Sequence, residues 1–263
     1  MIECERYDPN MLKEARLDRI LDLVAERGEV TVAELNDALR VSEATIRRDL
    51  DQLSQEGRVR RSHGGAVRVV GADREPPLAL RKGSLSAEKE RIGREASTLV
   101  APGDRIFLCS GTTVETVPRH LREVGDLTVV TNSLPVINQL ADRSDIELIV
   151  IGGVFRHTEL SMISQLAERM VAELRVDTVF LGCQAVDPAD GLTADSIAEA
   201  STDRAILQIA RRRVLLADHT KFRRSSTIAI APLDAMNVVV TDRIDAELAR
   251  EIAALGAEVR VAP

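Results

Sequence analysis

The sequence predicts an α/β protein in which a small, mainly helical N-terminal domain precedes an open, mostly parallel α/β sheet. Amphipathic helical patterns fill most of the first sixty residues, and a stretch with two consecutive prolines at 76 and 77 then interrupts every periodicity. Beyond it, short apolar runs alternate with helical patterns, which is typical of parallel strands that are buried on both faces. We therefore expect domains at residues 1–70 and 86–263, joined by a linker at 71–85.

Composition excludes several classes of protein. The chain has 263 residues, 44% of them hydrophobic, and a formal net charge of −7. No apolar run approaches the roughly 20 residues of a membrane span, so we expect a cytoplasmic protein with no membrane partner. Its three cysteines and four histidines are scattered without ligand spacing. We therefore expect no disulfide framework, no metal and no cofactor.

Two amphipathic helices are predicted in the first forty residues. Apolar side chains at helical spacing predict the first helix, and Gly28 is expected to end it. Thr31 and Glu34 form a capping box, in which both side chains accept hydrogen bonds from open backbone N–H groups at a helix start. A second, short helix is therefore expected to begin at Thr31. The residues that predict the first helix are Leu17, Ile20, Leu21 and Val24.

The stretch SEATIRRDL, residues 42–50, predicts a third helix with a polar outer face. Ser42 is expected to cap it, and an inward apolar stripe is formed by Ile46, Leu50 and Leu53. Two short helices joined by a tight turn, the second bearing Ser, Thr and Arg near its start, suit entry into the major groove of DNA. The residues expected to contact DNA from this helix are Ser42, Glu43, Ala44, Thr45, Arg47 and Arg48.

A basic hairpin, or wing, follows the third helix. Residues 58–70 alternate as a strand, turn at two glycines and alternate again, and we expect Arg60, Arg61 and His63 to contact DNA. Residues 40–68 carry seven basic and four acidic side chains in a chain that is acidic as a whole. Charge alone is equally typical of a solvated helix face, but the order of helices and wing favours double-stranded DNA. None of the five aromatic residues lies in this window, which disfavours single-strand binding by base stacking.

These motifs resemble the DeoR family of bacterial transcription regulators. The resemblance rests on the spacing of Arg16, Ile20 and Val24, on SEATIRRDL, and on RSHGGA at residues 61–66. It implies a repressor of sugar metabolism in which a winged helix-turn-helix precedes a domain that senses a phosphorylated sugar or a related metabolite.

The rest of the chain predicts the α/β domain. Strands are expected at residues 105–109, 127–131, 146–151, 178–182, 214–217, 227–230, 237–241 and 258–261. Helices are expected at residues 86–100, 113–122, 135–141, 165–174, 196–210 and 245–255. Ligands of such sheets bind beyond the carboxyl ends of the strands.

Four polar motifs follow predicted strands. In SGTT, residues 110–113, backbone N–H groups and hydroxyls before a helix suit a phosphate, although such residues are also typical helix caps. The motifs SGTT, TNS, GG and D-x-x-K occur in the same order in the DeoR sensor domain, which resembles sugar-phosphate isomerases in fold. The expected effector site comprises Ser110, Gly111, Thr112, Thr113, Thr131, Asn132, Ser133, Gly152, Gly153, Asp218 and Lys221.

The sequence also departs from the family pattern. Cys109 stands where family members commonly have aspartate, and residues 160–164 lack the glycine expected near Ser164. Where related isomerases place catalytic acids, residues 182–184 read Gly-Cys-Gln without a carboxylate. Three aspartates that follow are expected to have solvent-exposed turn roles: Asp187, Asp190 and Asp195.

Alternative functions therefore stay open. A ligand-responsive repressor, which is no enzyme, is favoured over a sugar-phosphate isomerase with an accessory DNA-binding module, because the catalytic acids are missing. A third alternative is a C-terminal domain that only oligomerises. A single winged helix makes too few base contacts for a genomic target, so we expect a homodimer or higher homo-oligomer with its interface mainly in residues 71–263.

Overall fold

The protein divides into two compact units. A computed structural model describes residues 13–55, 59–62, 64–67, 76–122 and 124–263. Contacts between residues separate Met1–Pro76 from Pro77–Pro263. Residues 77–85, which the sequence assigned to the linker, lie in the second unit, because Leu78 is fully buried there and its N–H donates to the carbonyl of Thr158 at 2.7 Å. The predicted linker was therefore too long at its C-terminal end.

The first unit combines three helices with a small antiparallel sheet of strand order β1-β3-β2. The predicted inward stripe of α3 is confirmed, since Ile46, Leu50 and Leu53 are fully buried. The capping box of Thr31 and Glu34 is also confirmed at the start of α2. The elements of this unit are α1 (Lys13–Arg27), β1 (Glu29–Thr31), α2 (Val32–Leu39), α3 (Glu43–Gln55), β2 (Arg60–Ser62) and β3 (Gly65–Val67).

Strand β1, which the sequence analysis did not predict, pairs with the wing strand β3. Gly65 is needed where the two strands meet, because a Cβ built there would lie 2.0 Å from the carbonyl oxygen of Val30. At the neighbouring Gly64 a Cβ would meet no atom within 4 Å. The Gly-Gly pair therefore has one position that tolerates a side chain and one that does not.

A seven-stranded, all-parallel sheet forms the centre of the second unit. Its strand order is β15-β14-β12-β9-β4-β5-β6, which confirms the predicted open α/β sheet. Phe107 packs in a cluster that contains residues of α7, α8 and α9, whereas Ile106 and Leu108 pack in a second cluster with residues of α5 and α6. The strands are therefore covered by helices on both faces, as their continuous apolar runs predict. Their bounds are β4 (Arg105–Leu108), β5 (Leu127–Thr131), β6 (Ile146–Val150), β9 (Val176–Leu181), β12 (Ala210–Leu216), β14 (Val238–Thr241) and β15 (Glu258–Val261).

Six α-helices of the second unit are described. They are α4 (Leu78–Arg81), α5 (Ser86–Ser97), α6 (Leu134–Leu140), α7 (Gln165–Ala172), α8 (Ile197–Gln208) and α9 (Ala246–Ala254). The helix predicted over 113–122 is instead a 3₁₀ helix, Val114–His120. Pro118 lies inside it, and proline lacks the N–H that a regular α-helix needs. None of the helices in the described ranges has both the length and the hydropathy of a membrane span.

Two small antiparallel sheets were not predicted. One is a hairpin of β7 (Val154–Arg156) and β8 (Ser161–Ile163). The other consists of β10 (Ala185–Asp187), β11 (Gly191–Ala194) and β13 (Ile228–Ala231), so the run predicted at 227–230 is a strand outside the parallel sheet. Strands of three or four residues are too short to show the alternation by which a strand is recognised.

Candidate functional site

Helix α3 presents the polar face that the sequence predicts. The exposed residues are Ser42, Glu43, Ala44, Arg47 and Arg48, and Thr45, which is also expected to contact DNA, is half-buried. The N–H of Thr45 donates to the hydroxyl of Ser42 at 3.3 Å, and the two hydroxyl groups share a hydrogen bond of 2.9 Å. Ser42 therefore caps α3 and holds its first turn in a fixed geometry.

The two adjacent arginines differ in their surroundings. Arg47 forms an i, i+4 ion pair of 3.3 Å with Glu43. The two side chains are 60% and 59% exposed. Such an exposed pair is weak, so a phosphate can compete for the guanidinium at little cost. Arg48 is exposed and makes no ion pair or hydrogen bond with any residue in the described part of the chain. Both cations are therefore available to a polyanion.

A buried ion pair fixes α3 against α1. Nε of Arg16 lies 2.6 Å from Oδ2 of Asp49, and Nη2 lies 3.2 Å from Oδ1, with the Asp49 side chain only 3% exposed. The hydrogen bond with Asp49 raises the pKa of Arg16 above its usual value. Both residues belong to the motifs described above, but helical spacing does not show which residues of two different helices meet, so the pair could not be predicted from the sequence.

The wing residues have unequal roles. Arg60 is exposed on β2. Arg61 is half-buried, donates to the carbonyl of Gly65 at 3.2 Å and lies 3.2 Å from a carboxylate oxygen of Asp51 on α3. Arg61 therefore ties the wing to α3, whatever else it contacts. His63 lies outside the described residues.

In the second unit, the predicted effector residues lie at one edge of the sheet. Strands β12, β9, β4, β5 and β6 are consecutive neighbours and all parallel, so their carboxyl ends coincide. Residues 110–113, 131–133, 152–153 and 218–221 follow four of these five strands. We refer to these four segments as the strand-end site. Crevices beyond the carboxyl ends of parallel strands are where open α/β sheets bind ligands.

The SGTT loop has polar groups that the fold itself does not use. Gly111 has a φ of +129°, a conformation that favours glycine. Thr113 is the N-cap residue of the 3₁₀ helix but its side chain makes no capping hydrogen bond. Among the described residues, the hydroxyls of Ser110, Thr112 and Thr113 have no hydrogen-bond partner, although both threonines are buried. The interpretation of these residues as helix caps is therefore not supported.

The TNS segment contains two orphaned polar atoms. Thr131 donates to the carbonyl of Leu108 at 2.6 Å and so joins β5 to the start of the SGTT loop. Asn132 donates from Nδ2 to the carbonyl of Met162 at 3.0 Å, but its Oδ1 and the Oγ of Ser133 are buried without a hydrogen-bond partner in the described structure. Buried polar atoms are rarely left unpaired in native proteins, so these two atoms suit a ligand or an ordered water.

The remaining two segments combine structural and candidate binding roles. Gly153 has a φ of +150°, and a Cβ there would lie 2.6 Å from the carbonyl oxygen of Ile163, so it permits the β7–β8 hairpin to close. Gly152 is half-buried beside it. Asp218 is buried and caps the short 3₁₀ helix that ends at Lys221, whose side chain is half-buried. Lys221 is thus a cation held at the strand-end site.

His219 and Asp242 are joined by two hydrogen bonds that the sequence does not predict. Nδ1 of His219 lies 2.8 Å from Oδ2 of Asp242, and the backbone N–H of His219 donates to Oδ1 at 2.8 Å. Burial alone would raise the pKa of Asp242, but the hydrogen bonds from His219 lower it below its usual value. The pair fixes the backbone between Asp218 and Lys221. Only the fold brings residue 242, which follows β14, next to the end of β12.

A carboxylate does approach the position of Cys109, but it comes from α8. Burial, and then the charge of Asp203, raise the pKa of the Cys109 thiol well above its usual value, so the group stays protonated. Burial and the charge of Glu199 raise the pKa of Asp203, although Arg156 and Arg204 oppose the shift. Arg156 forms an ion pair with Glu199. No sequence motif connects these residues, which meet only because α8 packs on this face of the sheet.

Asp195 does not have the solvent-exposed turn role that the sequence predicted. It is half-buried and accepts hydrogen bonds from Gln184 Nε2 and Ser226 Oγ, because the antiparallel sheet brings residues 184 and 226 to it. Asp187 is half-buried at the end of β10 and accepts from the N–H of Ala189 at 2.9 Å, whereas Asp190 is exposed, as predicted. Within the described ranges, no group of His, Cys, Asp and Glu could hold a metal ion.

A winged helix-turn-helix followed by an α/β domain with a polar strand-end site defines a two-domain transcription regulator. Residues 16–70 match the DeoR-like helix-turn-helix domain, and residues 84–243 match the DeoR C-terminal sensor domain. The chain belongs to the DeoR family.

Relatives of similar length are alike over most of the chain. A transcriptional regulator of unknown role, YgbI of Escherichia coli, is 34% identical over 88% of this chain and 91% of its own length. The glycerol-3-phosphate regulon repressor of the same organism is 32% identical over 88% and 92%. The repressor GlcR of Bacillus subtilis is 30% identical over 89% and 90%. Among solved structures, ribose 5-phosphate isomerase A of Methanocaldococcus jannaschii gives a TM-score of 0.39 at 19% identity, over 53% of this chain and 55% of that one.

Proposed function

We propose that this protein is a repressor that binds a double-stranded operator and is released from it by a phosphorylated sugar or a related metabolite. The observation that carries the proposal is the set of polar groups at the strand-end site that no other described residue binds, two of which are buried. Hydroxyls of the SGTT loop lack partners in the described structure, and Asn132 Oδ1 and Ser133 Oγ are buried without one. A ligand with a phosphate and hydroxyl groups would supply both kinds of partner.

The chemistry of the site suits an anion with a polar body. Backbone N–H groups and hydroxyls of residues 110–113 would donate to a phosphate, and Lys221 would contribute positive charge. Asn132 and Ser133, on the next strand, would meet hydroxyls of the sugar. The name of the glycerol-3-phosphate regulon repressor places a relative in the metabolism of a small phosphorylated polyol, which agrees with this class of ligand.

Two other functions are less well supported. An isomerase would need a catalytic acid close to the substrate, and residues 182–184 provide none, while Asp195 is occupied by Gln184 and Ser226. A domain that only oligomerises would have no use for buried polar atoms without partners at the edge where such sheets bind ligands. We infer that the protein is not an enzyme and that it assembles at least as a homodimer, so that two winged helices read two half-sites.

A thermal-shift screen of the full-length protein tests the proposal. Glycerol 3-phosphate, glucose 6-phosphate, fructose 6-phosphate and ribose 5-phosphate are compared with their unphosphorylated counterparts. A ligand that binds only the folded state at about 100 times its Kd stabilises by about 2.7 kcal/mol, which raises Tm measurably. The same ligand is then titrated into the operator complex and should dissociate it. No shift with any phosphate, or interconversion of the sugar phosphates by the protein, would contradict the proposal.

A further inference from the structure

The β7–β8 hairpin contacts the strand-end site at one of its ends. Its first strand begins directly after Gly153. The N–H of Met162 donates to the carbonyl of Asn132 at 2.8 Å, and Nδ2 of Asn132 donates to the carbonyl of Met162 at 3.0 Å. Ser133 forms an isolated antiparallel bridge with Ser161. A change in the position of Asn132 or Ser133 therefore acts directly on β8.

The turn of the same hairpin holds the segment of residues 77–85, which we refer to as the connecting segment because it follows the DNA-binding unit in the chain. The N–H of Leu78 donates to the carbonyl of Thr158 at 2.7 Å. Arg81 forms an ion pair with Glu159, and their side chains are only 13% and 6% exposed. The connecting segment is thus joined to the hairpin turn by a backbone hydrogen bond and by a buried charge pair.

A buried lysine fixes the connecting segment on its other side. Nζ of Lys89, on α5, donates to the carbonyl of Arg81 at 2.9 Å and to that of Ser84 at 2.6 Å, and Lys89 is buried. The segment is therefore a defined part of the sensor unit, and it cannot move independently of the hairpin without separating buried charges. Separating such a pair is strongly unfavourable, since each charge would be left uncompensated.

The hairpin has the backbone features of an element held in place by its surroundings. Leu160, in its turn, has a φ of +49°, and Ser164, directly after β8, has a φ of +120°. Positive φ is unfavourable for residues other than glycine and persists only where the contacts around them impose it. The N–H of Leu134 donates a hydrogen bond to the carbonyl of Leu160 at 2.9 Å. The conformation of the turn thus depends on contacts with the residues that follow the TNS segment.

We propose that Glu159 and Arg81 are positioning residues that couple occupancy of the strand-end site to the connecting segment, and through it to operator binding. The coupling runs from Asn132 and Ser133 to β8, along the hairpin to Glu159, and across the ion pair to Arg81. Neither residue of the pair belongs to the strand-end site or to the winged helix. The proposal rests on the proposed function, because it needs a ligand at the strand-end site and a DNA-binding unit that responds.

The test compares full-length wild type with Glu159→Gln, Arg81→Gln and the double variant. An operator is first selected by wild type from a random duplex library, and the probe ligand is the sugar phosphate of the thermal-shift panel that most raises Tm. Three quantities are measured for each protein: ligand Kd, operator Kd without ligand, and operator Kd at saturating ligand. The ratio of the last two is the coupling, which in allosteric proteins typically spans about 5- to 150-fold.

We expect the three variants to bind the ligand within about threefold of wild type and the free operator within about twofold, while their coupling ratio falls below about twofold. Arg81→Met with Glu159→Met, which removes both charges of the pair together, should give the same loss if the Gln variants fold poorly. A control elsewhere in the same unit is Arg119→Gln, which breaks a more exposed ion pair of 2.9 Å with Glu90 and should keep the wild-type ratio.

Amide hydrogen exchange provides a second measurement on the same proteins. In wild type, the ligand should change the exchange of the Leu78 amide, which is bonded to the hairpin turn, and in the variants it should not. Variants that bind the ligand and keep the wild-type coupling ratio would overturn the inference and leave the proposed function intact. If no sugar phosphate of the panel binds wild type, the proposed function fails, and the inference fails with it.

Discussion

Arg47 and Arg48 point away from the core of the first unit, so their removal should affect DNA binding more than folding. We expect Arg47→Ala and Arg48→Ala each to weaken operator binding. An arginine that reads a base should cost about 1–3 kcal/mol and relax specificity at one base pair, whereas one that contacts phosphate should reduce the salt dependence of log K by about 0.9. Operator Kd measured over a range of salt concentrations distinguishes the two roles. Unchanged affinity and unchanged salt dependence in both variants would contradict the assignment of α3.

Variants of Thr112 and Lys221 test most directly whether the strand-end site holds a phosphate or whether its polar residues only stabilise the fold. If they hold a phosphate, Thr112→Ala and Lys221→Ala should lower ligand affinity by about 1.5–3 kcal/mol each, the contribution of a charge-assisted hydrogen bond. Operator binding without ligand should stay near that of wild type, so the variants should act as repressors that cannot be induced. Titration of the operator complexes with ligand measures the effect.

A control for these variants is Thr98→Ala, because Thr98 is exposed and its hydroxyl donates only within the last turn of α5, to the carbonyl of Glu95 at 2.7 Å. This variant should release the operator at the wild-type ligand concentration. Equal midpoints for wild type, Thr112→Ala and Lys221→Ala would mean that the phosphate binds elsewhere.

At the scale of elements, alanine variants of the two wing glycines, Gly64 and Gly65, allow a matched comparison of stability. Gly65→Ala places a Cβ 2.0 Å from the carbonyl oxygen of Val30, so β1 and β3 must separate, whereas Gly64→Ala meets no atom within 4 Å. We expect Gly65→Ala to destabilise the first unit by about 1–3 kcal/mol, the usual cost of overpacking, and to weaken operator binding. Gly64→Ala should be close to wild type in both. Denaturant unfolding and operator Kd check this, and equal stability of the two variants would contradict the packing described for β1.

The elements that could be predicted from the sequence are those with local signals. Ile46, Leu50 and Leu53 repeat at helical spacing, and Thr31 and Glu34 cap α2 through their own side chains, so neither needs the rest of the fold. The parallel strands were found because the central ones are buried on both faces, which makes their runs apolar. The β7–β8 hairpin was missed because its strands have only three residues each, and its contacts with Leu78, Asn132 and Leu134 could not be predicted because those residues are distant in the sequence. For the same reason the approach of Asp203 to Cys109 could not be predicted.

At the scale of the whole molecule, the number of winged helices in one particle determines how tightly it binds an operator. We expect full-length protein to sediment as a dimer or larger, and a fragment ending at residue 76 to be monomeric and to bind the operator at least tenfold more weakly. The physical reason is that one winged helix contacts only one half-site, so that joining two through the second unit makes the second contact intramolecular. Sedimentation and operator titration of both proteins check this. A full-length monomer that binds a single half-site tightly would contradict it.

The order of strands in the parallel sheet also determines which parts of the sheet can form while the chain is still being synthesised. The first unit has its three helices and its wing once Val67 has been made. Strands β4, β5 and β6 pair with one another, but β4 meets its other neighbour only when β9, Val176–Leu181, has been synthesised. Until then the nascent chain carries a complete DNA-binding unit followed by a partial sheet with an open, apolar edge, which is a site of aggregation. We therefore expect a chain that stops before residue 176 to aggregate more readily than the full-length protein.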